Sequence, residues 1–292
     1  MKKSIVITGG AGFVGSNLIK CLLKKTKYNL ISIDNYSSGS HKNHIKSKRV
    51  SYIKSDTQNI NKVLKNPKKI HSLFHFGEFA RIYQSFLKME ECINSNTIGS
   101  NAVINFCFSN NIKLIYSATS ATIGNKGNDK NLSPYAFTKA KNLELLENLK
   151  KWFKFKYEII YFYNVYGLNQ ISSGSMATVI GIFEGLYKKK RPLTVVRPGT
   201  QSRRFTHIDD TVNACYFAWK QNKCRHYSIS NRESYSILEV AKMFQSKIKL
   251  LAPRRGERFA SALTSMNLSN KVYQIFGKVR LKVYIKNVIK SQ

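Results

Sequence analysis

Apolar residues in this chain come in short unbroken runs, separated by longer stretches in which they recur every third or fourth position. Ser4-Ile5-Val6-Ile7-Thr8, Leu30-Ile31-Ser32-Ile33, Val50 to Ile53, Ser72-Leu73-Phe74-His75-Phe76 and Ile112 to Tyr116 are five such runs. Each has the length of a strand buried on both faces. Between them lie the amphipathic stretch Ser16 to Lys24, the shorter Ile60 to Leu64, and Arg81 to Ser109, where two helical patterns are interrupted near Ser95-Asn96. Strands alternating with helices imply parallel pairing through right-handed crossovers, hence an α/β, doubly wound parallel sheet. Ser133-Pro134 reads as a helix N-cap with proline at the first helical position, opening a helix from Tyr135 to Lys154.

The first strand runs directly into Gly9-Gly10-Ala11-Gly12-Phe13-Val14-Gly15. Glycines at 9, 12 and 15 permit a sharp turn and a close approach of backbone to a pyrophosphate, which the N-terminus of the next helix would receive. No Gly-Lys-Ser/Thr follows, so this is not a nucleotide P-loop. Asp34 closes the second strand about twenty residues on, where a carboxylate binds the ribose hydroxyls of an adenosine and repels a 2′-phosphate, favouring NAD over NADP. Asp56, after the third strand, lies on the same edge, which places it near an adenine amine or in a surface turn. The fifth strand ends in the hydroxyls Ser117, Thr119, Ser120 and Thr122, in the crevice where ligands of such sheets sit. Tyr135 and Lys139 are four residues apart and share one helix face, where an ammonium lowers a phenol's pKa and makes it a usable base.

Composition changes this picture little. At 292 residues and 42% apolar content the chain is globular, with room for one substantial domain or two smaller ones. The net charge of +34 is spread over almost every segment, which suits a solvated surface and argues against a dedicated nucleic-acid interface. Cys21, Cys92, Cys107, Cys215 and Cys224 are odd in number and widely spaced, so neither a disulfide framework nor a metal site is expected. The apolar run after Met1-Lys2-Lys3 is too short for a signal peptide and no stretch reaches membrane-span length, giving a cytoplasmic expectation.

Taken in order, these blocks resemble the extended short-chain dehydrogenase/reductases, specifically the NAD-dependent nucleotide-sugar epimerases and dehydratases. The resemblance rests on the glycine turn, Asp34-Asn35, Asn96-Thr97-Ile98-Gly99-Ser100, the hydroxyl cluster, Tyr135-Ala136-Phe137-Thr138-Lys139 and Phe162-Tyr163-Asn164-Val165-Tyr166-Gly167. Arg203-Arg204-Phe205-Thr206-His207-Ile208-Asp209-Asp210 and Arg255-Gly256-Glu257 extend it over nearly the whole chain. It implies a Rossmann-type NAD domain over residues 1–167, rejoined by about 201–230, and a smaller nucleotide-sugar-binding region over 168–200 and 231–292. NAD would lie against Gly9, Gly12, Phe13, Val14, Gly15, Asp34, Asn35, Asp56, Phe76 and Asn96. Tyr135 would be the base, Lys139 would hold the nicotinamide ribose and depress the phenol's pKa, and Thr119, with Ser120 as the fallback, would bond the sugar hydroxyl being oxidised. Asn164, Arg203 and Arg255 would reach the substrate's diphosphate or nucleotide.

Within that family, 4,6-dehydratases place Asp-Glu directly after the threonine, to expel water and remove the C5 proton. Here the run is Thr119-Ser120-Ala121-Thr122-Ile123, without a carboxylate, which resembles the 4-epimerase type: a UDP-hexose oxidised at C4 and reduced on the other face, with NAD retained. A 4,6-dehydratase or 4-keto-sugar reductase is the alternative within enzymes, and an idle NAD-binding protein with a basic polyanion-binding surface the alternative outside them. Three features depart from the family. Only sixteen positions separate Thr119 from Tyr135, Tyr161 stands where arginine is common, and Glu78 replaces a small residue after His75-Phe76-Gly77, as a substrate contact, an added acid or a solvent-facing charge. The Tyr135 helix and the helices of 81–109 are expected to pair with a second subunit, giving a homodimer.

Overall fold

The computed structural model describes residues 3–254 and 272–291. Its centre is one eight-stranded sheet of β1 (Ser4–Thr8), β2 (Asn29–Asp34), β3 (Val50–Lys54), β4 (Ile70–His75), β5 (Lys113–Thr119), β6 (Tyr157–Phe162), β7 (His226–Ser230) and β8 (Val272–Phe276). The order is β8-β7-β6-β5-β4-β1-β2-β3, and every adjacent pair runs parallel. The chain winds outward from β1 through β2 to β3, then returns to the far side of β1 as β4. That reversal opens a crevice beyond the carboxyl ends of β1 and β4.

Alternation along β1 sends its side chains to two separate cores. Ile5 and Ile7 pack with Leu18, Ile19 and Leu22 of α1 (Phe13–Lys25) and with Val212 and Cys215 of Ile208–Lys220. Val6 faces the other way, into a cluster with Leu73, Leu114, Val103 and Ile104 of α2 (Ser100–Ser109), and Leu146 of α3 (Pro134–Phe153). A third core joins Tyr166, Leu193, Val195 and Phe244 to Ile180 and Phe183 of α4 (Val179–Lys188) and to Leu281 and Ile285 of Leu281–Lys290. Val179 and Ile180 carry this core to the edge of the crevice.

The cap of α3 forms as expected: Ser133 Oγ accepts from the Ala136 N–H at 3.1 Å, with Pro134 beginning the helix. Such a cap stabilises a helix by about 1 kcal/mol. The interruption near Ser95-Asn96 is a π-helical turn, Asn94–Gly99, joining the short helix Met89–Ile93 to α2. Two expectations shift. β5 continues three residues past Tyr116, so Ser117 and Thr119 are strand residues, and the polar loop 124–131 is wound as a 3-10 helix. All five cysteines are free thiols. No helix among the described residues is long and apolar enough to cross a membrane.

Candidate active site

Thr8 leads into a turn that only glycine accommodates. Gly9 has φ +70°, and a Cβ there would lie 2.8 Å from the backbone of Phe76 and Gly77; a Cβ on Gly15 would lie 2.1 Å from the Gly9 carbonyl oxygen. The turn closes through Gly12 N–H to Gly9 O at 3.1 Å, and α1 begins at Phe13 with no acidic residue in its first turn. Its leading N–H groups and positive dipole end are therefore open to an anion. Asp34 ends β2 with Oδ2 accepting from Ala11 N–H at 2.9 Å and Oδ1 from Tyr36 N–H at 2.8 Å, which fixes the carboxylate beside the turn. Asn35 donates to Asp56 Oδ1 at 2.7 Å.

From this turn a cavity of about 800 Å³ runs along the ends of the strands. Gly9, Gly12, Phe13, Val14, Gly15, Asp34, Asn35, Asp56 and Phe76 line it together with Glu78, Thr119, Ser120, Tyr135, Lys139 and Asn164. A glycine cradle that a Cβ would fill, an open helix N-terminus and a fixed carboxylate at the end of the second strand fit a dinucleotide.

Of the remaining site residues named from sequence, Asn96 and Arg203 do not line the cavity. Asn96 is fully buried behind the wall, where its amide accepts from Phe79 N–H at 2.7 Å and donates to Phe79 O at 3.0 Å, clamping the turn after β4. Arg203 sits in the strand Ser202–Arg204, opposite Tyr235, and does not line the cavity. Arg255 lies outside the described residues. Asn164 lines the cavity while donating to Arg204 O at 2.8 Å.

Two polar residues are more deeply engaged than their sequence context suggests. Arg81 lines the cavity, and its Nε and Nη2 both donate to Met176 O, tying the turn after β4 to the segment that leads into α4. Burial pulls its guanidinium pKa down. Read from sequence, Arg81 only begins a helical stretch; the signal available was a lone cation two positions after the apolar Phe79.

Glu78 is the second. Its side chain is 2% exposed, so it is not the solvent-facing charge that is one of its sequence readings. Oε2 accepts from Lys139 Nζ, and Oε1 accepts from Ser100 Oγ at 2.7 Å and Tyr116 OH at 2.8 Å, with Asn142 Nδ2 at 3.4 Å. Burial alone would raise the carboxyl's pKa, but the charge of Lys139, aided by His75 and Ser100, holds it below its usual range. Burial likewise lowers the Lys139 ammonium, against the opposing pull of Glu78. Lys139 also donates to Ser117 O and, at 3.4 Å, to Ser117 Oγ, so each of its three protons meets an acceptor.

Behind Glu78 the hydrogen-bond directions can be assigned. Thr8 Oγ1 accepts from the N–H groups of Phe76 and Gly77, both at 3.1 Å, so its own proton goes to His75 Nδ1 at 2.7 Å. His75 is fully buried, which drives its pKa down to about 4, and the neutral ring carries its proton on Nε2. That proton is donated to Ser100 Oγ at 3.0 Å, and Ser100 in turn donates to Glu78. An oriented chain thus runs from the start of the glycine turn to Lys139. Two hydroxyl residues expected at the site also line the cavity: Thr119 at the end of β5, accepting from Ala121 N–H at 3.2 Å, and Tyr135 in the first turn of α3, whose N–H donates to Ser85 Oγ at 3.2 Å. Among the described residues no cluster of His, Cys, Asp and Glu is placed to hold a metal ion.

Comparison with known proteins agrees with this architecture. The model of the NAD dependent epimerase/dehydratase family matches residues 5–230. ADP-L-glycero-D-manno-heptose-6-epimerase of Brachyspira hyodysenteriae is 28% identical over 260 residues, 84% of this chain and 81% of that protein. A putative UDP-glucose 4-epimerase of Methanocaldococcus jannaschii is 26% identical over 269 residues, 87% of each. The structure of a UDP-N-acetylglucosamine 4-epimerase from Methanobrevibacter ruminantium, in complex with UDP-N-acetylmuramic acid, superposes with a TM-score of 0.84 at 25% identity, covering 99% of this chain and 97% of that one. An eight-stranded Rossmann-like sheet with its glycine turn, acidic β2 terminus and Tyr135–Lys139 pair on one cavity places this protein in the NAD-dependent epimerase/dehydratase family.

Proposed function

We propose that this protein is a nucleotide-sugar 4-epimerase acting on a UDP-hexose. The observation that carries the reading is the lack of an acid in the run that follows Thr119. Positions 119–123 hold no carboxylate, and both oxygens of Glu78, in the cavity wall, already accept from protein donors. Expelling a sugar hydroxyl as water requires a proton donor for it, whereas moving hydrogen off and back onto C4 requires only a base for the C4 hydroxyl.

The glycine turn, with Asp34 at the adenosine ribose, would hold NAD, whose chemistry there would be to take up a hydride from C4 and give it back. Tyr135 takes the proton of the C4 hydroxyl, and Thr119 holds that oxygen, with Ser120 beside it. Tyr135 gives the proton back to the oxygen as the hydride returns to the other face of C4, so the cycle needs no external reductant. Asn164 approaches the substrate phosphates. A pocket whose reacting end presents hydroxyls and one tyrosine leaves the sugar free to turn between the two transfers.

The name of the Brachyspira relative favours a second reading, in which C6 of a heptose is the centre inverted. Incubation with UDP-hexoses and with an ADP-heptose, without added cofactor, followed by proton NMR of the products, separates the two. Inversion at C4 of a UDP-sugar at unchanged mass supports the proposal; inversion at C6 of the heptose alone, or a product lighter by one water, refutes it. A homodimer belongs to the same reading: Leu87, Met89, Ile93 and Phe137 are exposed apolar residues on the helices expected to pair, and light scattering should give twice the chain mass.

A further inference from the structure

Lys139 is one helical turn from Tyr135, on the same face of α3, and both line the cavity. A lone ammonium there would lower the phenol's pKa, but this ammonium is not alone. Glu78 Oε2 accepts from it directly, and the carboxylate is itself held by Ser100, Tyr116 and Asn142. We propose that Glu78 is a positioning residue acting through Lys139: it pins the ammonium to the cavity wall and cancels its charge beside Tyr135, so that the Glu78–Lys139 pair sets the pH at which Tyr135 ionises. This rests on the reading of Tyr135 as the base.

The surroundings leave few other charges to do so. From β4, His75 is neutral, because its Nδ1 accepts from Thr8. From β5, Tyr116 keeps its proton, since burial raises its pKa well above the ordinary value, and its ring lies 4.6 Å from Lys139 Nζ. From the helix Met89–Ile93, burial pushes the Cys92 thiol up to about 11, and Glu91, which also lines the cavity, is an exposed carboxylate bonded to Lys88. Arg81 is a further cation near Tyr135 among the described residues, held on Met176 O. Removing the Glu78 charge therefore changes the net local charge from about zero to a full positive unit at the Lys139 site.

The geometry also gives Glu78 a mechanical part. Of the three acceptors around Lys139 Nζ, Ser117 Oγ at 3.4 Å is the loosest, so the ammonium can turn one proton toward the cavity while Glu78 and Ser117 O retain the other two. The oriented chain Thr8–His75–Ser100–Glu78 keeps the carboxylate in register with the glycine turn.

The test titrates Tyr135 itself, by the tyrosinate ultraviolet difference signal of each NAD-saturated protein minus that of the same protein carrying Tyr135→Phe. A unit charge within a few ångströms moves a pKa by roughly one unit or more, so Glu78→Gln should lower the midpoint by about one pH unit while Glu78→Asp leaves it near that of the native protein. Lys139→Met should raise it. The double variant Glu78→Gln/Lys139→Met, in which no buried charge is left without its partner, should return it to the native midpoint and folds even where the first single variant does not. A folded Glu78→Gln protein with an unmoved midpoint overturns the proposal. So does a double variant whose midpoint rises as far as that of Lys139→Met, because Lys139 would then act unscreened. The signal needs no turnover, so a protein that epimerises no UDP-sugar still answers the question.

Discussion

Lowering the pH should weaken this fold at His75. The ring is fully buried in β4, accepting from Thr8 at 2.7 Å and donating to Ser100 at 3.0 Å, and burial drives its pKa from 6.5 to about 4. The folded pKa lies below that of the unfolded chain, so between these values the unfolded state binds more protons and is favoured as pH falls. The stability His75 contributes is thus complete above about pH 6.5, declines through the window and is spent below about pH 4. A gap of about 2.5 units corresponds to about 3 kcal/mol in all, of which about 2 kcal/mol is lost between about pH 7 and about pH 5. Against a typical total of about 5–15 kcal/mol, that is measurable by urea unfolding at the two pH values. His75→Gln keeps an amide donor for Ser100 but does not titrate. It should be less stable at neutral pH and should lack this part of the acid decline. Equal losses in the native and variant proteins over the same interval would show that His75 is not held neutral, and the assigned direction of the Thr8–His75–Ser100–Glu78 chain would be wrong.

Two further perturbations test other parts of the structure. Gly15→Ala places a Cβ 2.1 Å from the Gly9 carbonyl oxygen, and an overpacking cost of about 1–3 kcal/mol should fall on the turn, weakening NAD binding roughly tenfold or more by calorimetry. Glu158 is buried in β6, where it accepts from the N–H groups of Lys223 and Arg225, both at 3.0 Å, and pairs with Lys113 at 3.4 Å. Glu158→Ala should cost about 3–5 kcal/mol in urea unfolding, and adding Lys113→Met should recover part of that loss, because the ammonium, then without its carboxylate and bonded to Trp219 O, Gln221 O and Asn222 Oδ1, is gone.

The inner half of the sheet was legible because β1, β2, β4 and β5 are unbroken apolar runs, as parallel strands covered on both faces must be. Strands β6, β7 and β8 were not. β6 has Glu158 at a fully buried position, and β7, His-Tyr-Ser-Ile-Ser, is half polar, so neither shows the pattern its burial predicts. Their polar atoms are satisfied by partners distant in sequence, such as Lys113 for Glu158 and Tyr163 for Ser228. At the site, the glycine turn, Asp34 and the Tyr135–Lys139 pair could be read because each pattern is local, spaced along one turn, strand or helix. Glu78 was visible only as a departure from the family's pattern. Its role depends on Ser100, Tyr116 and Lys139, which three different elements bring to it.

The central claim, that the hydride leaves and returns to the same C4 within one site, is tested most directly with a UDP-hexose deuterated at C4. Incubated without added cofactor, the epimerised product should keep its deuterium at C4, and the Tyr135→Phe protein should retain NAD but form no such product. Deuterium lost to water, found at another carbon, or absent from C4 in a product of inverted configuration would contradict the account.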